Sequence, residues 1–302
     1  MSATLREALQ PYLDEQRSVV DAEIEHLLPP AGAYPESIHR AMRYAVFAGG
    51  KRLRPILCAE AGRLFDGDAP GLLRLASALE LIHTYSLIHD DLPALDNDDL
   101  RRGKPTCHRV FGEAVAILAG NALLTLAFET LAAPSADPDA EHQRLRIIHE
   151  IAQAIGTRGG MLGGEVVDLE STAQAADSTT LDYIHAAKTG SFIRAAVRCG
   201  AMVANAAEAD LTRLTQYGEK VGLAFQIADD LLDVLGSKEM LGKAVRKDGA
   251  QRKATYPGLH GVEASQRIAA GLIDEACEVL ALYGSRAERL REIARFLIAR
   301  TS

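Results

Sequence analysis

The chain has few cysteines, and none of them stand close together. Its 302 residues contain four, at Cys58, Cys107, Cys199 and Cys277, and no CxxC pair occurs. They are predicted to be isolated small hydrophobic residues of a protein in a reducing compartment. Residues 1–10 also lack an apolar core, which argues against a secretory signal or a transit peptide. We therefore expect a cytoplasmic protein.

Basic residues are outnumbered by acidic ones. The chain has 33 Lys and Arg against 41 Asp and Glu, a formal net charge of −8. Nucleic-acid binding needs a basic surface and membrane-surface binding a polybasic cluster, so both classes are disfavoured. Global charge alone also predicts that polyanionic ligands do not bind. Hydrophobic residues at 48% and charged residues at 25% are ordinary for a soluble globular protein.

No apolar run of transmembrane length is evident. The most apolar stretch, residues 114–128, is interrupted by Asn121 and Thr125 and lies between Glu113 and Glu129. A membrane-spanning helix needs about 20 apolar residues. This stretch is shorter and more polar than that, so we expect no stable membrane anchor.

Runs of β-branched residues are also scarce, and no strand pairs are predicted. Apolar residues in the segment 72–82 recur every three or four positions, the spacing of a helix, and residues 221–235 have the same character. Because a second apolar face follows the first, the helix at 72–82 is expected to be buried nearly all round. We predict an all-α fold, a single domain over residues 1–302 built as a large helical bundle.

Two acidic clusters follow apolar segments. Asp229 and Asp233 in the sequence DDLLD are four residues apart and share one face of a helix. Carboxylates grouped in apolar surroundings repel each other and lose solvation, and Mg²⁺ compensates for both. Taken alone, a DDxxD motif is as easily a solvated acidic turn, since motif matches are hypotheses.

The other acidic cluster contains Asp90, Asp91 and Asp96. Asp90 and Asp96 are six residues apart and would not share a face of a straight helix, but Pro93 lies between them and can turn the chain. The turn would bring Asp96 back toward Asp90. Two carboxylate clusters on two apolar helices predict one cavity with metal ions between facing walls.

Basic residues also cluster, although they are not abundant. Lys51 and Arg54 follow a glycine pair that permits close approach to an anion. Other cations stand beside the acidic clusters, and the run Lys188-Thr189-Gly190 is predicted to break a helical segment. These others are Arg101, Arg102, Lys104, Lys188 and Lys243. No nucleophilic triad, Walker loop or dinucleotide fingerprint is present, so we expect metal-assisted departure of diphosphate in an apolar cavity.

At this point the sequence resembles the trans-prenyltransferase, or polyprenyl synthase, family. The resemblance rests on motifs whose order and spacing are specific, and they span most of the chain: GGKRLRP at 49–55, LIHDDLPALDNDDLRRGKPTCH at 87–108, GGEVVDLE at 163–170, KTG at 188–190, FQIADDLLDVLG at 225–236, LGK at 241–243 and KATYP at 253–257. The resemblance implies an all-α homodimer with a deep cavity. It also implies head-to-tail joining of isopentenyl diphosphate to an allylic diphosphate.

The resemblance further implies a role for each residue that matches a family motif. Direct Mg²⁺ ligands would be Asp90, Asp96 and Asp229, supported by Asp91 and Asp233, with three Mg²⁺ ions per site or Mn²⁺ in their place. Ligands of the allylic diphosphate would be Arg101, Lys188 and Lys243, and the isopentenyl diphosphate site would comprise Gly50, Lys51, Arg54, His83 and Arg102. Lys188, Thr189 and Gln226 would form the catalytic centre. The released diphosphate would take the final proton.

Two positions depart from the family pattern. Glu165 stands where the family usually has Gln, and Asn97 replaces an Asp common in bacterial farnesyl-type enzymes. The role of the usual amide is therefore not carried over to Glu165, and little effect is expected from Asn97. His83 alone on an apolar helix would most often be a core histidine, and His89 and His108 keep that interpretation.

Tyr85 and Ser86 are the candidate determinants of product length. Tyr85 stands five residues before Asp90, roughly 7.5 Å along a helix, in the direction in which a chain held at Asp90 would grow. An aromatic residue here resembles the farnesyl-producing pattern. We predict farnesyl diphosphate as the main product, with geranylgeranyl diphosphate as the alternative and simple core packing of Tyr85 as the plainer interpretation.

Other classes of protein would share some of these features. A terpene cyclase would use a DDxxD motif but would leave GGKRLRP without a purpose, and a head-to-head synthase would use two allylic substrates. A non-catalytic regulatory subunit is a further alternative, which the complete acidic and basic sets disfavour.

Overall fold

The computed structural model of the chain describes residues 2–66, 69, 71–134, 138–171, 177–241 and 255–299. In the first half, the helices are α1 (Ser2–Leu27), α2 (Glu36–Val46), α3 (Leu53–Asp66), α4 (Leu72–Asp90), α5 (Cys107–Phe111), α6 (Glu113–Leu131) and α7 (Pro138–Ile155). In the second half they are α8 (Met161–Ser171), α9 (Ser178–Ile184), α10 (Ser191–Val203), α11 (Glu208–Leu241), α12 (Tyr256–His260), α13 (Val262–Val279) and α14 (Glu288–Ile298). The fold is all-α, as the periodicity predicted.

Helix α4 runs through the centre of the bundle. It packs against α6 and α3 and also contacts α1, α2 and α10. Leu75, Leu79 and Ile82 are at most 3% exposed, and so is Glu80 on another side of the same helix. The prediction of a helix buried nearly all round is confirmed, and α4 carries Asp90 at its end.

Helix α11 carries the second acidic cluster within its length. It packs against α13, α10 and α14. The helix continues past Gly236, so Asp229 and Asp233 lie inside a regular helix, whereas Asp90 lies at a helix end. The two acidic clusters are therefore presented by different local structures.

A short hairpin corrects the prediction that no strand pairs occur. Strands β1 (Leu100–Arg101) and β2 (Lys104–Pro105) pair antiparallel, with Arg101 opposite Lys104. The turn residues Arg102 and Gly103 have φ values of +54° and +76°. Two successive residues with positive φ match the right-handed twist of a two-residue hairpin. The pattern was missed because strands this short show no alternation.

The sequence predicted a helix break at Lys188, but the structure shows none there. Residues His185–Gly190 form a π-helical turn that joins α9 to α10 without interruption. π-Helical turns occur mostly as single turns within longer helices, frequently at functional sites. This turn carries Lys188 and Thr189.

Helix α6 is longer and more apolar than the sequence analysis allowed. By length and composition its 19 residues could cross a membrane, with a mean hydropathy of 1.7. Core helices of soluble proteins pass the same test, and Ala116, Leu123 and Ala127 of α6 are fully buried in the core. Ile117 and Leu118 on the other side are exposed.

Candidate active site

A cavity of about 410 Å³ opens among the elements that carry the sequence motifs. It is walled by the start of α3, the end of α4, the hairpin, the start of α8, the π-helical turn and the middle of α11. The lining residues are Arg54, His83, Tyr85, Ser86, Leu87, His89, Asp90, Leu95, Arg101, Arg102, Met161, Leu162, Glu165, Lys188, Thr189, Phe225, Gln226 and Asp229. Most of the residues expected to form a site therefore share one cavity.

Asp90 lies at the wall formed by the end of α4. Burial raises the pKa of Asp90 to about 7, and the charge of Glu165 contributes in the same direction. The Asp90 carbonyl accepts a hydrogen bond of 2.9 Å from the backbone N–H of Asp96, so the chain turns back as Pro93 predicted. Asp90 and Asp96 thus stand at the two ends of one tight loop.

Asp91 differs from its neighbour. Its side chain is 5% exposed and binds Arg101 at 2.6 Å between Oδ1 and Nη2. This ion pair fixes the hairpin against α4, because Arg101 belongs to β1. Asp91 is thereby placed to orient Arg101, which itself lines the cavity.

The second acidic cluster is divided in a similar way. Asp229 lines the cavity, whereas Asp233 is exposed and lies outside its lining. Asp230 is 7% exposed and accepts a hydrogen bond of 3.0 Å from the backbone N–H of Tyr256. His185 Nε2 lies 3.5 Å from the same Asp230 oxygen. Asp230 therefore holds α12 against α11, and no motif or spacing in the sequence pointed to this contact.

The donor set suits a hard divalent cation that shares its coordination with a ligand. Asp90 and Asp229 both line the cavity, and burial with the charges of Glu165 and Asp96 raises the pKa of Asp90 despite the opposing charges of Lys188 and Arg101. No three His, Cys, Asp or Glu side chains converge on one point within the residues described. Mg²⁺ is commonly held by one or two carboxylates plus substrate phosphates and water. The carboxylates present fit that mode and not an all-protein cage.

Lys188 is bound between two carboxylates of α8. Its Nζ lies 2.7 Å from Glu165 Oε2 and 2.7 Å from Asp168 Oδ2. Burial lowers the pKa of Lys188, but the two carboxylates outweigh it and hold the pKa above its usual value. Gly164 makes this approach possible, since a Cβ there would lie 2.3 Å from the backbone N of Lys188. Asp168 is a site residue that the sequence analysis did not select, although its motif was noted.

Thr189 and Gln226 meet across the cavity. The Thr189 hydroxyl donates a hydrogen bond of 2.8 Å to Gln226 Oε1 and joins the π-helical turn to α11. The hydroxyl proton is thus donated to Gln226, and the Thr189 oxygen still has lone pairs that can accept beside the cavity.

Arg54 and His83 both line the cavity, and of the two Arg54 supplies the positive charge. Arg54 lies over the Phe192 ring, 5.4 Å from its centroid, and its buried Nε has no hydrogen-bond partner within the described part of the chain. Burial and the charges of Arg54, Arg102 and Arg101 hold the pKa of His83 well below its usual value, so His83 is neutral.

The glycine pair packs against Arg102. Gly49 accepts a hydrogen bond from Arg102 through its carbonyl, and a Cβ at Gly50, where φ is +141°, would lie 2.6 Å from the Arg102 guanidinium. The space left by the glycine pair is therefore filled by the Arg102 side chain, and the close approach of an anion to these glycines stays a prediction.

Lys51 is not brought into the central cavity. It is exposed and lines a separate cavity of about 320 Å³ beside Arg17, Leu53 and Phe296. Its neighbour Arg52 is 3% exposed and binds Glu80 and Asp21 at 2.8 and 2.7 Å. Arg52 thus holds α1, α3 and α4 together.

One predicted ligand has no described position. Lys243 lies outside the residues that the structure describes.

The helical bundle, with carboxylates and cations around one central cavity, has the all-α fold of the isoprenyl synthases, to which the similar solved structures belong. The sequence pattern of the polyprenyl synthetase family matches residues 35–292. The chain belongs to the polyprenyl synthetase family and is a trans-prenyltransferase of the FPP/GGPP synthase type. The alternatives of a terpene cyclase, a head-to-head synthase and a non-catalytic subunit are set aside.

Relatives carry several product names. A dimethylallyltranstransferase of Fischerella ambigua is 47% identical over 97% of this chain and 84% of its own. A geranylgeranyl diphosphate synthase of Cyanophora paradoxa is 44% identical over 97% of both chains. A farnesyl diphosphate synthase of Geobacillus stearothermophilus is 42% identical over 83% of this chain and 84% of its own. Among solved structures, an FPP/GFPP synthase from Zymomonas mobilis superposes with a TM-score of 0.85 at 37% identity, covering 99% of this chain and all of that one.

Proposed function

We propose that this prenyltransferase condenses isopentenyl diphosphate with dimethylallyl and geranyl diphosphate and releases farnesyl diphosphate. The observation that carries the proposal is the position of Tyr85. Its side chain lines the cavity, is 6% exposed and stands on α4 roughly 7.5 Å from Asp90 along the helix axis. A prenyl chain whose diphosphate is held at Asp90 would reach this ring as it grows. Chromatography of the products tests the proposal.

The allylic diphosphate is proposed to lie between the acidic walls and the cations beside them. Asp90, Asp96 and Asp229 would hold Mg²⁺, which would neutralise the departing diphosphate, with Asp91 and Asp233 in supporting positions. Arg101 is oriented toward the cavity by Asp91, and Lys188 by Glu165 and Asp168. Both side chains would bind diphosphate oxygens.

The developing positive charge is proposed to be stabilised by oxygen atoms of the cavity wall. The Thr189 oxygen is oriented by its bond to Gln226, so its lone pairs are fixed before reaction. Phe225, Met161 and Leu162 exclude water around it. As the bond between C1 of the allylic substrate and its diphosphate breaks, the double bond of isopentenyl diphosphate would attack that C1 carbon. The released diphosphate would then accept the proton that the new product loses.

Isopentenyl diphosphate is proposed to bind at the basic end of the cavity. Arg54 and Arg102 line it, and neutral His83 can donate to a phosphate oxygen without adding charge. Lys51 is separated from this end in the structure and would have to reach toward it from the neighbouring cavity.

Lys51→Ala is expected to raise the KM for isopentenyl diphosphate by ~10-fold or more, because a charge-assisted hydrogen bond contributes ~1.5–3 kcal/mol. Steady-state kinetics with each substrate varied in turn measure this. Arg17→Ala is the matched control, since Arg17 lines the same outer cavity. An effect confined to the allylic substrate would mean that the two diphosphate sites are interchanged.

Glu165→Gln is expected to lower the KM for geranyl diphosphate by ~5-fold, about 1 kcal/mol. Lys188 would lose one of its two carboxylate partners and its charge would act more fully on the substrate. Glu170→Gln is the control, because Glu170 is exposed on the same helix. A higher Mg²⁺ requirement with an unchanged or raised KM would show instead that Glu165 binds the cation.

Geranylgeranyl diphosphate is the second candidate product. The plant and algal relatives that match over much of the chain are named for it, including the Cyanophora paradoxa enzyme. If geranylgeranyl diphosphate is the major product, the chain is a geranylgeranyl diphosphate synthase and the proposed farnesyl product is wrong.

We further propose that the chain forms a homodimer through the outer face of α6. Ile117 and Leu118 are 42% and 55% exposed there, and Val110 of α5, a helix that packs against α6, is 46% exposed. Sedimentation analysis of the purified chain tests this, and a monomer at micromolar concentration would contradict it.

A further inference from the structure

His89 stands between helix α6 and the ring of Tyr85. The imidazole of His89 and the phenol ring of Tyr85 meet edge to face, with centroids 5.2 Å apart and an interplanar angle of 86°. Both side chains line the central cavity, one turn apart on α4. Edge-to-face pairs of this kind are favourable and directional. The orientation of Tyr85 is therefore coupled to that of His89.

Helix α6 fixes the other side of the imidazole. His89 Nε2 lies 3.2 Å from the carbonyl oxygen of Ile117 and donates a hydrogen bond to it. The next turn of α6 presents Gly120, where a Cβ would lie 2.3 Å from His89 Nε2 and 2.6 Å from its Cδ2. Only glycine at this position leaves room for the ring in its present place. The imidazole is thus enclosed by α6 behind it and Tyr85 before it.

The backbone of Gly120 gives no other reason for glycine. It lies within the regular helix α6 and is not among the residues with positive φ. Alanine is the better helix former at such a position, so the demand for a missing Cβ comes from His89.

From this geometry we propose that Gly120 and His89 are positioning residues for product length. Gly120 provides the space in which His89 sits, and His89 supports the ring of Tyr85 as the floor of the elongation cavity. This inference rests on the proposed function, because it assumes that a prenyl chain grows toward Tyr85. Neither residue is expected to touch the reacting atoms.

The expected changes have opposite directions. Gly120→Ala pushes the imidazole off the Ile117 carbonyl and into the cavity, so the share of geranyl diphosphate rises at least ~3-fold by the energetic scale of such contacts. His89→Ala removes the support of Tyr85, so the geranylgeranyl share rises at least ~3-fold for the loss of an aromatic pair. In the double variant the alanine at position 120 has no ring to displace. Its products should therefore match those of His89→Ala, a non-additive result typical of residues in contact.

The test is product chromatography of the four proteins with isopentenyl and dimethylallyl diphosphate, with Asn121→Ala as the control. Asn121 is exposed on α6 beside Gly120, and its replacement should leave the product ratio unchanged. Additive effects in the double variant, or an unchanged ratio in both single variants, would overturn the inference. If Gly120→Ala does not fold, the double variant should fold because the clash is gone, and failure of both would also overturn it.

The outcomes separate this inference from the proposed function. A wild-type chain that makes mainly geranylgeranyl diphosphate would contradict the proposed product, while the shifts between variants would still test the role of His89.

Discussion

Asp90→Ala is expected to reduce turnover by ~10³-fold or more, which corresponds to ~4 kcal/mol of lost transition-state stabilisation. Asp90 lines the cavity at the end of α4, and burial with the nearby charge of Glu165 raises its pKa to about 7. A carboxylate in that setting is stabilised when a cation binds beside it. Its removal should also abolish Mg²⁺-dependent binding of the allylic diphosphate. Turnover and equilibrium binding of geranyl diphosphate, each with and without Mg²⁺, measure the two effects.

The control for Asp90→Ala is a carboxylate of the same loop. Asp99 is 67% exposed and pairs only at the surface with Arg109, at 3.2 Å. Asp99→Ala should leave both turnover and Mg²⁺-dependent binding within about twofold, since exposed ion pairs contribute little. Near-normal turnover in Asp90→Ala would refute its role as a metal ligand.

Tyr85→Ala is expected to change the main product from farnesyl to geranylgeranyl diphosphate. Removing the phenol ring opens the floor of the cavity on α4, and the chain can then accept one more five-carbon unit. Tyr85 is 6% exposed and well packed, so we also expect ~3–5 kcal/mol of lost stability, the range for truncation of a buried aromatic residue. Product ratios and thermal unfolding are the measurements.

Tyr85→Phe separates the volume of the ring from its hydroxyl group. It keeps the aromatic ring that meets His89 edge to face and should therefore keep farnesyl diphosphate as the main product. If Tyr85→Ala folds and its product length is unchanged, Tyr85 is a packing residue and the floor lies elsewhere.

The all-α architecture could be predicted from the sequence because the spacing of apolar residues within each short segment indicates a helix. The periodicity of residues 72–82 identified α4, and its second apolar face predicted burial on all sides, as found. The hairpin at Leu100–Pro105 was not predicted, because strands of two residues show no alternation of apolar and polar residues. The feature that could have indicated it is the Arg102-Gly103 turn. The π-helical turn at His185–Gly190 was not predicted, because the run ending in Gly190 was interpreted as a helix break.

The candidate site was predicted in its composition but not in its pairings. The motifs located Asp90, Asp229 and Lys188, and the structure gathers these three around one cavity. The sequence did not indicate which carboxylates stabilise the fold. Asp91 and Asp230 stand in the same motifs as Asp90 and Asp229, and only their contacts distinguish them. Those contacts are with Arg101 and the backbone of Tyr256. Such contacts join distant parts of the chain and leave no local signature.

Global charge was the least informative feature. A net charge of −8 predicted no polyanionic ligand, yet the chain belongs to a family that acts on prenyl diphosphates. Local clusters explain the difference, because Arg54, Arg101 and Arg102 line the same cavity as the carboxylates. Charge averaged over a surface does not describe a site of this size.

The central claim is the identity of the main product, and chromatography tests it most directly. The purified chain is incubated with Mg²⁺, isopentenyl diphosphate and either dimethylallyl or geranyl diphosphate, and the dephosphorylated products are separated by length. The position of Tyr85 predicts farnesyl diphosphate as the main product from both starters. Geranylgeranyl diphosphate as the main species, or the absence of any elongated product, would contradict it.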